Sequence, residues 1–567
     1  VLIGTLESLT ALAGQLAVTN LLPQHVGCIV VGAEAGLDVA IDVAGLPVIG
    51  RVEQLADMHA IHAFSVGVVS LPAGERALSM RVREALRSLG IPERVVPTLP
   101  DLLSRPPQAS ATASTQPQLN MAELIGRTPY GIDRRLVRAA LEAKRVLITG
   151  AGGSIGSDIC RIVATFKPSL LIMMERSENA LFDIDRQIAR RFPDLPRKAL
   201  LNDVADADAT LRHVVQLKPH AVFHAAAHKH VPLMEDHPAL AISNNVLGTK
   251  SIADASIAVG AERFVMISTD KAVNPSSTMG ATKRIAEMYV QWLGSLRQGA
   301  DTPRQRPRTL DALASYTPSH TTQCSIVRFG NVLGSACSVL PIWGQQLSEG
   351  GPLTVTDPRM TRFFMTIPEA ASLVIQAGSI SQQGPAGFML GGDEAPAPAL
   401  PTIYVLDMGD PVRILDLAMR FATLHGYQPR LVTRDGQPFP GAPIIESSSG
   451  PTSDQPTIDI AITGVRPGEK LHEELVYAAE ALAPTDYPGV LALGQRDESG
   501  GQPLDIPAMI ADLAGLQRTH DPALVRAALR RYLPEYAEST GAGKTHPGTF
   551  QDTNVSGRPP GVTQNAA

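Results

Sequence analysis

Cysteine is scarce. The 567 residues hold four, Cys28, Cys160, Cys324 and Cys337, with no C-x-x-C pair. That excludes a disulfide framework and a four-cysteine zinc site, and it fits a reducing compartment. Long apolar runs are missing too: no stretch approaches the roughly 18 residues that read as a membrane helix. Basic residues are not in excess, with Lys+Arg 49 against Asp+Glu 55 and a net charge of −6. A general nucleic-acid binder would carry a basic stripe, so nucleic acid is not an expected partner. A repeat of about 20–50 residues, the mark of a solenoid or propeller, is also absent.

What is present suits a globular protein of several domains. A hydrophobic fraction of 44% and a charged fraction of 18% are ordinary. One core rarely grows past roughly 250–300 residues. The first residue is Val1 and not Met, so a trimmed or processed form is expected, in which an upstream membrane segment would not be seen.

Apolar runs alternate with amphipathic segments twice along the chain. Residues 1–104 place strands at Val26–Val31, Ala63–Ser70 and Val95–Pro97 and a helix at Gly74–Leu89, a small parallel α/β module. Residues 105–130 read as a linker, opening on the Pro/Ser/Thr/Gln-rich Arg105–Gln118. A stronger βαβ series then fills 131–500, with strands at Val146–Thr149, Leu170–Met174, Ala221–His224, Arg263–Ser268 and Ile326–Phe329. Polar, Pro-rich stretches at 299–323, 394–401 and 427–457 read as surface insertions. Residues 501–540 form a helical extension with a helix at Asp521–Leu533, and 541–567 a polar tail. The fold class is α/β: two Rossmann-like modules, the second with a smaller C-terminal substrate lobe.

The segment RVLITGAGGSIG, Arg145–Gly156, carries the dinucleotide signal. Gly150 permits the tight turn, Gly153 lets a pyrophosphate approach the backbone, and Gly156 allows close helix–strand packing. Ser154 and Ile155 open a helix whose free amides and dipole favour phosphate. Glu175 ends the next strand, where a carboxylate bonds the ribose hydroxyls of NAD. Arg176 and Ser177 could instead hold a 2′-phosphate, so NAD is the expected cofactor and NADP the alternative. The opening of the first module, Val1–Thr10, has a single glycine, Gly4, with bulky Leu6 and Leu9, and is not expected to hold a dinucleotide.

Two further segments carry chemistry. Ser268-Thr269-Asp270-Lys271 sits at the carboxyl end of a strand, the ligand edge of a doubly wound sheet. HAAAHKH, His224–His230, invites a zinc reading but lacks a matching acid or cysteine set, so no metal is expected. GAGKT at 541–545 imitates a P-loop but has Glu538 where its first glycine should stand, and is rejected.

Together the glycine turn, ISTDKAVNP, MGATKR, VRFGNVLG, TRFFMTIP and VRPGEKL resemble the polysaccharide-biosynthesis branch of the extended short-chain dehydrogenases. Its characterised members are nucleotide-sugar 4,6-dehydratases, typically acting on UDP-N-acetylglucosamine. The resemblance runs to about residue 500, and the long members carry membrane helices ahead of the first module. It implies a homo-oligomer working in the cytoplasm, at the inner face of the membrane.

The resemblance also implies residue roles. Thr269, Asp270 and Lys271 match the catalytic cluster, with Lys271 as base at sugar carbon 5 and Asp270 as acid at the 6-hydroxyl. Lys283 matches the lysine that holds the nicotinamide ribose. Met279 stands where most short-chain dehydrogenases carry a catalytic tyrosine, as it does in the long dehydratases. Asp203, Val204, Ala225 and Ala226 are further cofactor contacts. His228, Lys229, Asn331, Arg362, Arg466 and Glu469 face the UDP-sugar. GSAC, Gly334–Cys337, departs from a more glycine-rich stretch of the family. Lys271 must be neutral to act as a base, and Lys229 and Lys283 are the expected neighbours that would depress its pKa. The rival readings are a UDP-sugar 4-epimerase and a non-catalytic NAD-binding regulatory protein.

Overall fold

The computed structural model describes residues 1–18, 27–31, 42–71, 81–96, 124–295, 322–380, 402–440, 456–494 and 504–536, apart from 44, 83, 84, 87, 90, 92, 126, 128 and 479. The chain divides into two compact units, Val1–Gln118 and Leu119–Ala567.

In the first unit, β1 (Leu2–Gly4), β2 (Cys28–Val30), β3 (Asp42–Val43), β4 (Leu46–Arg51), β5 (Gly67–Ser70) and β6 (Glu93–Val95) form one sheet in the order β3-β4-β2-β1-β5-β6. All pairs are parallel except β3 with β4. The helix expected at 74–89 lies largely outside the described residues. The turn after β1 is filled from within. A Cβ at Gly4 would sit 2.3 Å from the Ser70 carbonyl oxygen and 2.6 Å from the Ser8 hydroxyl.

The second unit is built on a nine-stranded sheet. Its parallel heart runs β7 (Arg145–Thr149), β8 (Leu170–Glu175), β9 (Arg197–Leu201), β10 (Ala221–His224), β11 (Arg263–Ile267) and β12 (Gln323–Arg328), in the spatial order β12-β11-β10-β7-β8-β9. Thr402–Leu406 adds a further parallel strand beside β12, and Val490–Leu493 and Leu482–Pro484 finish that edge antiparallel. Strands such as VLIT and FVMI are apolar throughout because helices bury both faces. One face packs against Gly248–Ala258, Thr278–Ser295 and the C-terminal helices Ile506–Gly515 and Pro522–Tyr532. The other packs against Ser154–Ala164, Glu178–Arg191 and Ile367–Ser379.

Two stretches differ from expectation. Residues 427–457 were expected as a loop, yet Gln428–Thr433 is a strand paired in parallel with Thr457–Ile462. Pro429 is tolerated because this strand lies at the edge of a three-stranded sheet. The end of the expected linker packs within the second unit: Leu124 joins a separate core with Trp343, Leu353 and Phe421, and Arg127 and the Tyr130 amide bond Glu369. No helix among the described residues is long and apolar enough to cross a membrane.

Candidate active site

The site begins at the glycine turn. Gly150 has φ +64°, and a Cβ there would lie 2.8 Å from the Ala225 carbonyl. A Cβ at Gly156 would lie 2.0 Å from the Gly150 carbonyl oxygen, so β7 and the following helix meet with no room for a side chain. Gly153 precedes the helix Ser154–Ala164 in extended conformation, without a side-chain cap, leaving the first amides of that helix for a ligand.

Two adjoining cavities open from this turn, sharing Gly153, Arg176, Ala225, Ala227 and His228 in their walls. The smaller, about 250 Å³, is lined by Gly150, Glu175, Arg176, Asp203, Val204 and Ala226. Glu175 accepts from the amides of Gly152, Arg176 and Ser177, which fixes its carboxylate at the cavity wall. Arg176 reaches Asp203 at 3.9 Å and also bonds His228. Ser177, expected at the cofactor, instead caps the helix Glu178–Arg191. Asn244 lines the same cavity from a single π-helical turn, Ile242–Leu247. Its neighbour Asn245 ties the His228 backbone to the Thr282 hydroxyl. Sequence reasoning missed both asparagines, and a mid-helix π turn leaves no periodicity signal to find them by.

The larger cavity, about 840 Å³, gathers Ser154, Ile155, Lys229, Thr269, Lys271, Met279, Lys283, Asn331, Arg362, Arg466 and Glu469. These come from segments spread over 316 positions, Ser154 to Glu469. Thr269 caps the short 3₁₀ turn Asp270–Ala272 at the end of β11. Its hydroxyl donates to Asp270 Oδ1 at 2.8 Å, and Lys271 Nζ donates to the same oxygen at 3.0 Å. Asp270 lies behind the cavity wall, fully buried, and its Oδ2 has no hydrogen-bond partner. Gly330 closes over that oxygen; a Cβ there would be 3.1 Å from it.

Lys271 departs from expectation. Its neighbours are not Lys229 and Lys283 but carboxylates, with Glu473 Oε1 at 3.5 Å besides Asp270, and the Asn331 oxygen at 3.0 Å. Burial favours the neutral amine, but the two carboxylates outweigh it and lift the Lys271 pKa above its ordinary value. The resting side chain is therefore an ammonium. Lys283 behaves in the opposite way: burial brings it down to about 8, and its Nζ donates to the Ile267 carbonyl at 2.7 Å. Lys229 donates to the Ala336 carbonyl at 2.9 Å beside the GSAC turn, with its pKa lowered by burial. His224 is structural, buried between the hydroxyls of Thr149 and Thr249, and burial pushes it down to about 3. Among the described residues no group of His, Cys, Asp and Glu could hold a metal ion.

Met279 opens the helix Thr278–Ser295 and packs with Val231, Met234 and Ala241, presenting an apolar wall where a hydroxyl would otherwise stand. Beneath it runs a buried ion network. Ser268 donates to Glu287 at 2.6 Å, and Arg328 grips both oxygens of Glu287 at 2.8 and 2.7 Å. Burial alone would raise Glu287, yet the two arginines, Arg328 and Arg284, hold it at about 2. This network anchors the end of β11 one residue before Thr269.

Residues 146–494 match the family model described as "Polysaccharide biosynthesis protein". The chain is 37% identical over 454 residues to the "Probable polysaccharide biosynthesis protein EpsC" of Bacillus subtilis, covering 79% of this chain and 64% of that protein. It thus spans less than two thirds of that relative's length. It is 26% identical over 355 residues to a "UDP-N-acetylglucosamine 4,6-dehydratase (inverting)" of Campylobacter jejuni, covering 62% of this chain and 82% of the relative. A "UDP-glucose 4-epimerase" of Rickettsia rickettsii is 32% identical over 251 residues, covering 42% of this chain and 64% of the relative.

Proposed function

Because the chain belongs to the polysaccharide biosynthesis protein family, we propose that it is the catalytic part of a nucleotide-sugar 4,6-dehydratase. The substrate is UDP-N-acetylglucosamine or a close UDP-hexosamine, and the product a UDP-4-keto-6-deoxy sugar for a surface polysaccharide or glycan. One observation carries the reading: Thr269 and Lys271 stand on a cavity that continues from the glycine turn, both bonded to the buried Asp270 carboxylate just behind its wall, with apolar Met279 beside them.

The residues present fit a nicotinamide dinucleotide: Gly153 leaves the first amides of the helix Ser154–Ala164 for a diphosphate, and the Glu175 carboxylate fixed at the cavity wall suits ribose hydroxyls, which puts NAD before NADP. Such a cofactor, when bound, would supply reversible hydride chemistry between sugar carbons 4 and 6. The rest falls to this chain's own side chains. The proton of the 4-hydroxyl passes to buried Asp270 through the Thr269 hydroxyl, which lines the cavity and donates to that carboxylate, since Met279 cannot accept it. The carbon 4 ketone acidifies the proton on carbon 5. Lys271, as the free amine, removes it while Asp270 protonates the leaving 6-hydroxyl, and water departs. Lys283 holds the cofactor ribose. Arg466 forks onto the diphosphate with help from Arg362, and Glu469 accepts from the uridine hydroxyls.

The epimerase reading shares the fold and the first oxidation and has a relative of that name, but it leaves the Asp270–Lys271 pair without a task. Purified chain incubated with NAD and UDP-N-acetylglucosamine, followed by mass spectrometry, tests the proposal. Loss of one water is expected. Unchanged mass with an inverted carbon 4 would make it an epimerase, and no change at all would leave a binding protein.

A further inference from the structure

The proton count of this site does not close on Asp270 and Lys271 alone. At rest Lys271 is an ammonium between two carboxylates. The reaction needs Asp270 ionised, to take the proton of the 4-hydroxyl, and Lys271 neutral, to take the proton of carbon 5. One proton must therefore leave Lys271 for a group other than Asp270 before the elimination. Only then does the cycle balance: the 4-hydroxyl proton passes through Asp270 into the departing water, and the carbon 5 proton is lent to Lys271 and returned.

Glu473 is placed to hold that extra proton. Its side chain is 3% exposed, and Oε1 lies 3.5 Å from Lys271 Nζ and 3.7 Å from Arg362 Nε. Oε2 is buried and without a hydrogen-bond partner in the protein, so that oxygen is open to receive a proton. A buried polar oxygen without a partner is costly, and a hydrogen bond supplies what it lacks. The other charged groups around it are engaged elsewhere: His472 bonds Thr361, Glu474 pairs with Asn274 and Lys470, and Lys470 also donates to the Val273 carbonyl. Arg362 is the single cation besides Lys271 found against Glu473 among the described residues, and it also lines the substrate cavity.

Resting on the dehydratase reading, we propose that Glu473 is a positioning residue for Lys271: it takes the ammonium proton when the substrate diphosphate draws Arg362 away, leaving Lys271 a free amine. The transfer moves one proton from Nζ to a carboxylate oxygen and needs no outside acid or base. Substrate binding and base activation are then one event, because the cation paired with Glu473 is the one the diphosphate recruits.

The test is Glu473→Gln in the full chain, with Glu473→Asp beside it. Gln fills the same space but cannot take a proton. The expected result near neutral pH is a kcat lower by about 10²–10⁴-fold, the usual worth of a positioned proton acceptor, with KM for the UDP-sugar little changed. Deuterium uptake at carbon 5 in heavy water falls with kcat. The pH profile separates this role from others. In Glu473→Gln the rate climbs by about tenfold per pH unit as bulk solvent deprotonates Lys271, while the wild type and, at a lower level, Glu473→Asp stay flat. If the Gln variant proves insoluble, Glu473→Asp carries the test: its carboxylate is drawn back by one methylene, so kcat falls with KM retained, and a wild-type kcat overturns the proposal.

A purely electrostatic role gives a different result. Removing the Glu473 charge lowers the Lys271 pKa and makes the Gln variant at least as fast as wild type, which overturns the inference. A slow Gln variant with a flat profile marks a merely structural residue and overturns it too. A wild-type chain that releases no water from any UDP-hexosamine overturns the dehydratase reading and this inference with it. If the wild type does release water, failure in the variants touches Glu473 alone.

Discussion

Replacing Arg328 with Met should expose how strongly the buried ion network holds the catalytic strand end. Arg328 is fully buried and makes two bonds to Glu287, at 2.8 and 2.7 Å, and one to Glu480 at 3.3 Å. Glu287 titrates at about 2 in the fold against an ordinary 4.5. Two and a half pH units at about 1.4 kcal/mol each make this worth about 3 kcal/mol. Breaking one side of a buried pair typically costs about 3–5 kcal/mol, and Arg284 with Ser268 still holds Glu287, so the lower end, about 3 kcal/mol, is expected. The folded pKa is depressed, so this stability is fully present above pH 4.5 and is lost as pH falls toward 2. Both tryptophans of the chain, Trp292 and Trp343, lie in the second unit, so urea unfolding followed by tryptophan emission reads that unit. Near neutral pH the midpoint should fall by about 1 M for a slope of about 3 kcal/mol/M. The gap between wild type and variant should narrow as pH drops from 4.5 toward 2. Adding Glu287→Leu should recover much of the loss, because the stranded charge is then removed as well. An unchanged midpoint, or a gap that persists undiminished into acid, refutes the reasoning.

Gly156→Ala should abolish dinucleotide binding, since the new Cβ would sit 2.0 Å from the Gly150 carbonyl oxygen, and calorimetry on the wild type should count one site per chain because Ser70 and Ser8 fill the Gly4 turn. Two sites, or undiminished binding in the variant, would contradict this. Arg466→Ala should raise KM for the UDP-sugar and spare kcat, as a diphosphate contact is made in ground and transition states alike; a collapsed kcat with KM unmoved would remove Arg466 from the diphosphate. Lys271→Ala should keep cofactor and substrate bound yet stop deuterium uptake at carbon 5, and wild-type uptake in that variant would assign the base elsewhere.

Much of the fold and half of the site can be read from the chain because the signals are local. RVLITGAGGSIG carries strand, turn and helix start within twelve residues, and its glycines are dictated by contacts made inside that segment. ISTDK is local in the same way, and its Ile267, Ser268, Thr269 and Lys271 line one cavity with Gly153 of the glycine turn. What could not be read is pairing across the chain. Glu473 sits in KLHEELVY, where two acids beside a histidine look like a solvated face. Only folding brings one of them to Lys271, 202 positions earlier, and leaves the other on Asn274. Arg328 inside IVRFG looks like the polar end of a strand, and its buried partner Glu287 is 41 positions away. Gln428–Thr433 was hidden by Pro429, which speaks against a strand unless the strand is known to be an edge.

The electrostatics of Lys271 went astray for the same reason. The motifs point to Lys229 and Lys283 as its neighbours, yet the fold surrounds it with carboxylates, and the sign of its perturbation reverses. That reversal changes the chemistry the site must perform. A lysine depressed by cations would wait as a free amine whether or not substrate were present. A lysine held charged by Asp270 and Glu473 cannot act until something shifts the proton, so base activity becomes conditional on what enters the cavity. In the dehydratase reading proposed above, Met279 points the same way: with no tyrosine at that position, the proton of the 4-hydroxyl would fall to Asp270, which would then not be free to accept one from Lys271 as well. On that reading the absent hydroxyl and the second carboxylate are linked: without an acceptor at Met279, the proposed acceptor at Glu473 becomes necessary.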